Sequence, residues 1–244
     1  MSFLQLFEKL MLFFFTPVCY EKVFYDFDLS DIGCFKYALS KGLGYGILLG
    51  SLMIKVPQIL TIVRHKSGEG ISVVSELLML VAVIGQMSYG YFKGFPISTY
   101  GDAYSLYFQT AAIIILILYY NKKSLNILLL IGILSVYSFL LFTNRLPAQV
   151  IELINACQLV LSLAAKFIQA YKNYQNSSTG HLSAITLWLQ FLGCVARIFT
   201  SIQETNDFIL ILTFVLVSLA NGLLVVQLLY YRKNTKKDSA KKTN

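Results

Sequence analysis

The sequence is poor in charged residues and in the residue types that build metal and redox sites. Only 13% of its 244 residues are charged, whereas soluble domains carry about 25%. This shortage excludes an ordinary soluble globule and a disordered chain. The only histidines are His65 and His181, too few to complete a zinc site. None of the four cysteines forms a C-x-x-C pair.

In place of charge, the sequence has long apolar runs, and 57% of its residues are hydrophobic. Seven membrane-spanning helices would use about 140 residues, so the chain is long enough for a helical bundle with short loops. No room is left for a soluble catalytic domain, and no P-loop, G-x-S-x-G or H-E-x-x-H motif is present. A lone D-x-D at Asp26-Phe27-Asp28 is too weak a signal for a membrane glycosyltransferase. We therefore expect no enzyme, no metal ion and no cofactor.

From Gly42 onward the apolar runs alternate with short polar breaks. The predicted helices lie at about 42–64, 71–91, 103–121, 125–143, 148–173, 182–202 and 208–231. In the tail that precedes them, Leu10–Cys19 is apolar enough for a short helix on the membrane surface. A secretory signal peptide fits this tail less well, because Glu8 and Lys9 cancel and no small-residue cleavage site follows.

Lysine and arginine are unevenly distributed between the two predicted sides of the membrane. Cytosolic loops carry the excess of positive charge in membrane proteins. The side with the C-terminal tail holds eleven such residues, and the side with the N-terminal tail holds six, of which Lys41 is one. We therefore expect a lumenal N-terminus and a cytosolic C-terminus. Spacing alone leaves open whether Cys19 and Cys34 form a disulfide in that tail.

The chain ends in Lys241-Lys242-Thr243-Asn244. Lysines at the third and fourth positions from a cytosolic C-terminus resemble the dilysine retrieval signal of endoplasmic reticulum membrane proteins, an address that a receptor reads. The alternative is a basic tail that happens to end in this way. The ending predicts residence in the endoplasmic reticulum membrane.

Two segments of the sequence match each other at a constant offset of 111 residues. One begins Lys55-Val56-Pro57-Gln58 and the other begins Lys166-Phe167-Ile168-Gln169. Apolar runs match by chance, but intramembrane lysine and glutamine at one offset do not, so we infer a true repeat. Late in each half, Gln109 corresponds to Asn221 at an offset of 112.

An offset of this length spans four helices, so each repeat contains three helices and the fourth is a linker. The even number of steps makes the two copies parallel, as in SWEET-type transporters. The predicted fold is an all-α membrane protein with seven transmembrane helices in a 3+1+3 arrangement. Its predicted segments are the N-terminal tail 1–41, first repeat 42–121, linker helix 122–147, second repeat 148–231 and cytosolic basic tail 232–244.

Pro57-Gln58 resembles the signature of PQ-loop proteins. Three stretches resemble the mannose-phosphate-dolichol utilisation defect proteins: Lys41 to Arg64, Gly180 to Leu187, and Ala196-Arg197 to Glu204-Thr205. This resemblance implies an endoplasmic reticulum protein required for the use of dolichol-phosphate-mannose and -glucose in N-glycosylation, O-mannosylation and GPI-anchor synthesis. Because Ile168 replaces the second proline, a proline hinge is expected only at Pro57.

Each of the two repeat-related helices carries one polar stripe when its residues are placed about 100° apart. The stripes contain Ser51, Lys55, Gln58 and Thr61, and Asn155, Gln158, Ser162, Lys166, Gln169 and Asn173. Such stripes face a polar cavity, or they only bond the helices together. A buried lysine costs roughly 2.5–3.5 kcal/mol and needs a partner. The candidates are Glu76, Glu152 or a phosphate of the substrate.

The candidate substrate-binding residues are Lys55, Gln58, Gln109, Asn155, Lys166, Gln169, Arg197 and Asn221. Arg197 suits bidentate contact with phosphate, or it forms a structural bridge to Glu204 or to a helix carbonyl. A lipid-linked sugar transporter or scramblase fits these residues best, with dolichol-phosphate-linked mannose or glucose, membrane lipids and lumenal mannosyltransferases as partners and no nucleic acid. The alternatives are a subunit that presents the lipid to those enzymes and a small-solute carrier for sugars or amino acids.

Overall fold

The computed structural model describes residues 3–12, 15–25, 31–68, 71–175 and 184–231. Within these ranges the chain forms ten α-helices and no β-strand. They are α1 (Phe3–Met11), α2 (Pro17–Phe24), α3 (Ile32–Ser51), α4 (Val56–His65), α5 (Val73–Phe92), α6 (Ile97–Tyr120), α7 (Ser124–Phe142), α8 (Ala148–Gln175), α9 (Ala184–Glu204) and α10 (Phe208–Tyr230). Counting α3 and α4 as one span, seven helices are long and apolar enough to cross a membrane. The predicted all-α membrane fold is confirmed.

The first spanning helix begins ten residues earlier than predicted, at Ile32 instead of 42. The Asp31 carboxylate accepts hydrogen bonds from the backbone N–H groups of Gly33 (2.8 Å) and Cys34 (3.3 Å). A carboxylate in this position satisfies N–H groups that the first helical turn leaves without a partner. The predicted start was wrong because polar residues such as Lys41 lie in these turns and interrupt the apolar pattern.

The N-terminal segment contains two short helices, α1 and α2, where the sequence predicts one. α2 begins after Thr16, whose hydroxyl accepts a hydrogen bond from the N–H of Cys19 (3.2 Å). Cys19 and Cys34 form a disulfide, with Cα atoms 5.4 Å apart, so the pairing that spacing left open is present. The Lys22 ammonium hydrogen-bonds Asp31 at 2.7 Å and lowers the pKa of that carboxyl, with help from the backbone N–H groups at the start of α3.

The described helices divide into two compact units. The central unit, residues 45–159, is built on α6, against which α4, α5 and α7 pack. Its core includes Met87, Tyr89 and Ile114. The close approach of α5 to α6 depends on Gly90, because a Cβ atom there would lie 2.4 Å from Cγ of Tyr100.

The C-terminal unit combines residues 1–44 with residues 160–244, and in it α9 packs along α10. Its core contains Ala170, Leu187, Leu224, Val225 and Leu228. The divisions between the units lie inside α3 and inside α8. The units therefore differ from the sequence repeats. The C-terminal unit contains the first turns of α3, which leads into the first repeat, and the central unit contains the first turns of α8, which begins the second repeat.

Candidate functional site

An interruption of the first span at residues 52–55 separates α3 from α4 directly before Val56 and Pro57. Proline lacks an N–H donor and disfavours the preceding turn of helix. The side chain of Gln109 replaces hydrogen bonds lost at this interruption. It donates to the carbonyl oxygen of Ser51 (2.9 Å) and accepts from the N–H of Lys55 (2.9 Å). Gln109, a predicted ligand residue, thus stabilises the broken span.

Lys55 lies in a closed, charge-neutral cluster within the central unit. Its ammonium is 2.5 Å from one Glu76 oxygen, and the side-chain amide of Gln58 donates to the other at 3.1 Å. The lysine and glutamate side chains are only 9% and 12% exposed. The sequence left Glu76, Glu152 and a substrate phosphate as candidate partners of Lys55, and the structure shows the ion pair with Glu76. Both carboxylate oxygens are occupied by protein groups.

Lys166, one repeat away, has a different environment within the C-terminal unit. Its ammonium donates to the side-chain oxygen of Gln190 at 2.6 Å. Glu152, one of the candidate partners, does not reach Lys166, because it lies fourteen residues earlier on the same continuous helix, α8. That spacing separates the two residues by about 21 Å along the helix axis. Within the described part of the chain, Lys166 has no ion pair.

The surroundings of the two lysines differ at the position that holds Glu76 in the first repeat. Glu76 is the fourth residue of α5, and its counterpart at the offset of 111, Leu187, is the fourth residue of α9. Leu187 is buried in the core of the C-terminal unit and carries no charge. The first repeat therefore neutralises its lysine internally, whereas the second repeat provides only an amide.

Asn221 and Arg197 lie in the same unit as Lys166. The Asn221 amide donates to the sulfur of Cys194 at 3.3 Å, while its Oδ1 atom is buried without a hydrogen-bond partner in the described residues. Arg197 is 4% exposed. Two basic side chains and an open amide oxygen therefore belong to one unit.

A buried ion pair that sequence reasoning missed joins α3 to α9. The Glu204 carboxylate accepts hydrogen bonds from the Ser40 hydroxyl and the Lys41 ammonium, both at 2.8 Å. The sequence signal was an apolar neighbourhood on both sides of Lys41, which had been assigned to the N-terminal tail. Lys41 is buried in α3, whereas Lys36 is exposed near the start of that helix. Lys41 alone of the two therefore leaves the count of positive residues on the N-terminal side, which falls from six to five.

The remaining candidates are placed as follows. Asn155 is buried in α8, and Gln169 is partly buried two turns of helix before its end. Asn173 donates to Gln227 at 3.2 Å, and Gln227 also bonds the carbonyl of Ala170. Residues Lys241 and Lys242, like His181 and the Asn176 sequon, lie outside the described residues. Among the described residues, no group of three or more His, Cys, Asp or Glu side chains comes together.

Comparison with known proteins places these observations in a family. The PQ loop repeat family matches residues 39–99 and residues 150–210, two segments that are 111 residues apart throughout, as predicted. Human solute carrier family 66 member 3 is 31% identical over 181 residues, which covers 74% of this chain and 88% of that protein. Two repeats are matched, seven helices of the described residues are apolar, and the human relative is matched over 88% of its length. The chain is therefore a multi-pass membrane protein that belongs to the PQ-loop repeat family.

Proposed function

We propose that this protein moves dolichol-phosphate-mannose or dolichol-phosphate-glucose from the cytosolic to the lumenal leaflet of the endoplasmic reticulum membrane. The observation that carries the proposal is the environment of Lys166, whose ammonium is held by the neutral Gln190 side chain and by no described carboxylate. A lysine among apolar helices needs an opposite charge. A phosphodiester group supplies that charge.

The groups near Lys166 also suit a sugar. The buried Oδ1 of Asn221 is an acceptor without a partner in the described residues, and leaving such an atom unsatisfied costs about 1–3 kcal/mol. A sugar hydroxyl supplies the donor that Oδ1 lacks. Gln190 accepts from Lys166 through its oxygen, so its amide N–H groups are able to donate to a hydroxyl or phosphate oxygen.

An apolar groove in the same unit fits the lipid part of the ligand. It lies between α9 and α10, has a volume of about 690 Å³ and is lined by residues that include Phe191, Gly222 and Val226. A polyprenyl chain in such a groove keeps its apolar surface out of water.

Two observations support the membrane and the orientation in the proposal, and a third supports the class of ligand. The Cys19–Cys34 disulfide fits an N-terminal segment in the oxidising lumen of the endoplasmic reticulum. The positive-charge count, eleven against five once Lys41 is assigned to a span, favours a cytosolic C-terminus. The resemblance of the Arg197–Glu204 block to the mannose-phosphate-dolichol utilisation defect proteins favours this class of ligand.

A small-solute carrier is the second candidate, because the human relative is by name a solute carrier. Both candidates predict transport without covalent chemistry. They differ in the ligand, since a free sugar or amino acid has no polyprenyl chain to occupy the α9–α10 groove.

Reconstitution of the purified protein into liposomes tests the proposal. We expect faster transbilayer movement of a dolichol-phosphate-mannose analogue than in empty liposomes. Lys166→Met should slow it about ten- to a hundredfold, because one charge-assisted hydrogen bond is lost. The control is Lys172→Met, which removes an exposed lysine from the same helix.

The other outcomes contradict the proposal in different ways. Binding of the analogue without faster movement would assign the protein a presenting role toward lumenal mannosyltransferases. Uptake of a free sugar without movement of the lipid would assign it to the small-solute carriers. Equal activity of the Lys166→Met and Lys172→Met variants would remove Lys166 from the site.

A further inference from the structure

We propose that the fourth residue of the second helix in each repeat decides whether that repeat accepts an anionic ligand. Glu76 closes the first repeat by occupying Lys55, and Leu187 keeps the second repeat open by leaving Lys166 without a carboxylate. The inference rests on the proposed function only for the identity of the ligand. Its chemical content is that an anionic phosphate group binds the second repeat alone.

The partner of the lysine moves by one helical turn between the repeats and changes from an acid to an amide. In the first repeat the partner is Glu76, and the residue one turn later is Met79. In the second repeat the corresponding residues are Leu187 and the partner Gln190. Both partners therefore come from the same face of the matched helix, one turn apart, and the first is charged whereas the second is neutral.

Three described carboxylates of the C-terminal unit are already engaged by other groups, so they do not substitute for the absent acid. Asp31 bonds Lys22, Glu204 bonds Ser40 and Lys41, and Asp207 accepts from the N–H of Leu210 at 2.8 Å. Among the described carboxylates of this unit there is also Glu21, which is exposed on α2. A charge for Lys166 then comes from outside the described chain, as a ligand does.

The environment of position 187 makes a direct substitution informative. Leu187 is 2% exposed and packs with apolar residues of α8 and α10, so an acid introduced there has no water to solvate it. An acid at position 187 would occupy the place matched to Glu76 and would pack against α8, the helix that carries Lys166, the lysine matched to Lys55. Leu187→Glu should therefore convert the second repeat into a closed, neutral cluster like that of the first.

The experiment compares full-length Leu187→Glu and Leu187→Gln with the unmodified protein in detergent. The ligand probes are a short-chain polyprenyl-phosphate-mannose and free mannose 1-phosphate. Leu187→Glu should weaken binding of whichever probe the unmodified protein binds by about ten- to a hundredfold, because the introduced carboxylate competes for Lys166. Leu187→Gln has the same shape without charge and should bind within about threefold of the unmodified protein. An equal loss in both variants would overturn the proposal, since packing and not charge would explain it.

Thermal unfolding gives a readout that needs no ligand. If the introduced acid pairs with Lys166, adding Lys166→Met should lower the Tm of Leu187→Glu far more than it lowers the Tm of the unmodified protein. Equal Tm shifts in the two backgrounds would overturn the inference. A third outcome separates the inference from the proposed function. If free mannose 1-phosphate binds, the polyprenyl-phosphate-mannose probe does not bind, and Leu187→Glu still abolishes binding, then the inference holds. The proposed lipid substrate would then be wrong.

Discussion

The ammonium of Lys41 lies 2.8 Å from a carboxylate oxygen of Glu204, and the counterparts of these two residues one repeat away carry the opposite charges. Lys41 corresponds to Glu152, and Glu204 corresponds to Lys93. Lys41 and Glu204 have side chains that are 8% and 0% exposed. Lys93 and Glu152 are exposed, and the Lys93 ammonium lies over the Tyr89 ring. Each matched position thus carries a lysine in the first repeat and a glutamate in the second, and the buried pair takes Lys41 from the first repeat and Glu204 from the second.

This difference predicts that Lys41→Met destabilises the protein and that Lys93→Met does not. Removing Lys41 leaves the buried Glu204 carboxylate without its cation, which costs about 3–5 kcal/mol when a buried pair is broken. The exposed Lys93 contributes little. Thermal unfolding and the yield of monodisperse protein measure both variants. A similar Tm for the two would show that the buried pair has no special role.

Lys55→Met should behave as a structural variant and not as a binding variant. It strands Glu76, whose carboxylate is otherwise satisfied by Lys55 and Gln58, so the folded yield should fall. Adding Glu76→Gln should restore the yield, because the neutral amide needs no cation. Transport by the double variant should then approach that of the unmodified protein. Normal yield with lost transport in Lys55→Met alone would instead make Lys55 a ligand residue.

Gln109→Leu should weaken the first span at its interruption. The change leaves the N–H of Lys55 without its acceptor and leaves the Ser51 carbonyl with the N–H of Ile54 at 3.3 Å. An unsatisfied buried group costs about 1–3 kcal/mol. Limited proteolysis and Tm should both report the loss. Gln158→Leu, a partly buried glutamine of α8, is the control. Equal stability of the two variants would contradict the role of Gln109.

The proposed orientation predicts that Asn176, the only N-x-S/T sequon, remains unglycosylated because its loop is cytosolic. Treatment with a glycosidase should not change the mass of the protein. A cysteine introduced by Ser239→Cys should react with an impermeant maleimide once the plasma membrane alone is permeabilised. Labelling that requires opening of the endoplasmic reticulum membrane, or a glycosidase-sensitive shift lost in Asn176→Gln, would reverse the topology.

The C-terminal lysines predict retrieval to the endoplasmic reticulum. Lys241→Ala combined with Lys242→Ala should let the protein reach later compartments, as seen by imaging of the tagged full chain. The matched control is Lys236→Ala with Lys237→Ala, which removes the same charge outside the third and fourth positions. Unchanged retention in both double variants would mean that the helical bundle, and not the tail, holds the protein there.

The sequence by itself determined the class of fold and the repeat. Seven spans follow from the lengths of apolar runs, which are local properties of the chain. The offset of 111 follows from lysine and glutamine within those runs, residues too costly in lipid to recur by accident. The same reasoning identified Lys55 and Lys166 as the positions to examine. It misplaced the start of the first span because polar residues in α3 resembled a tail.

The partners of the polar residues were decided only by the tertiary structure. Glu76 and Glu152 were equal candidates in the sequence, yet Lys55 pairs with Glu76, and Lys166 bonds Gln190. The hydropathy pattern assigned Lys41 to a solvated tail, whereas the packing of α3 against α9 buries it with Glu204. The hydropathy of a sequence indicates which segments are stable in lipid. It does not indicate which side chains form ion pairs, because an ion pair requires that helix packing bring two side chains within about 4 Å of each other. That proximity depends on which helices meet and in which register.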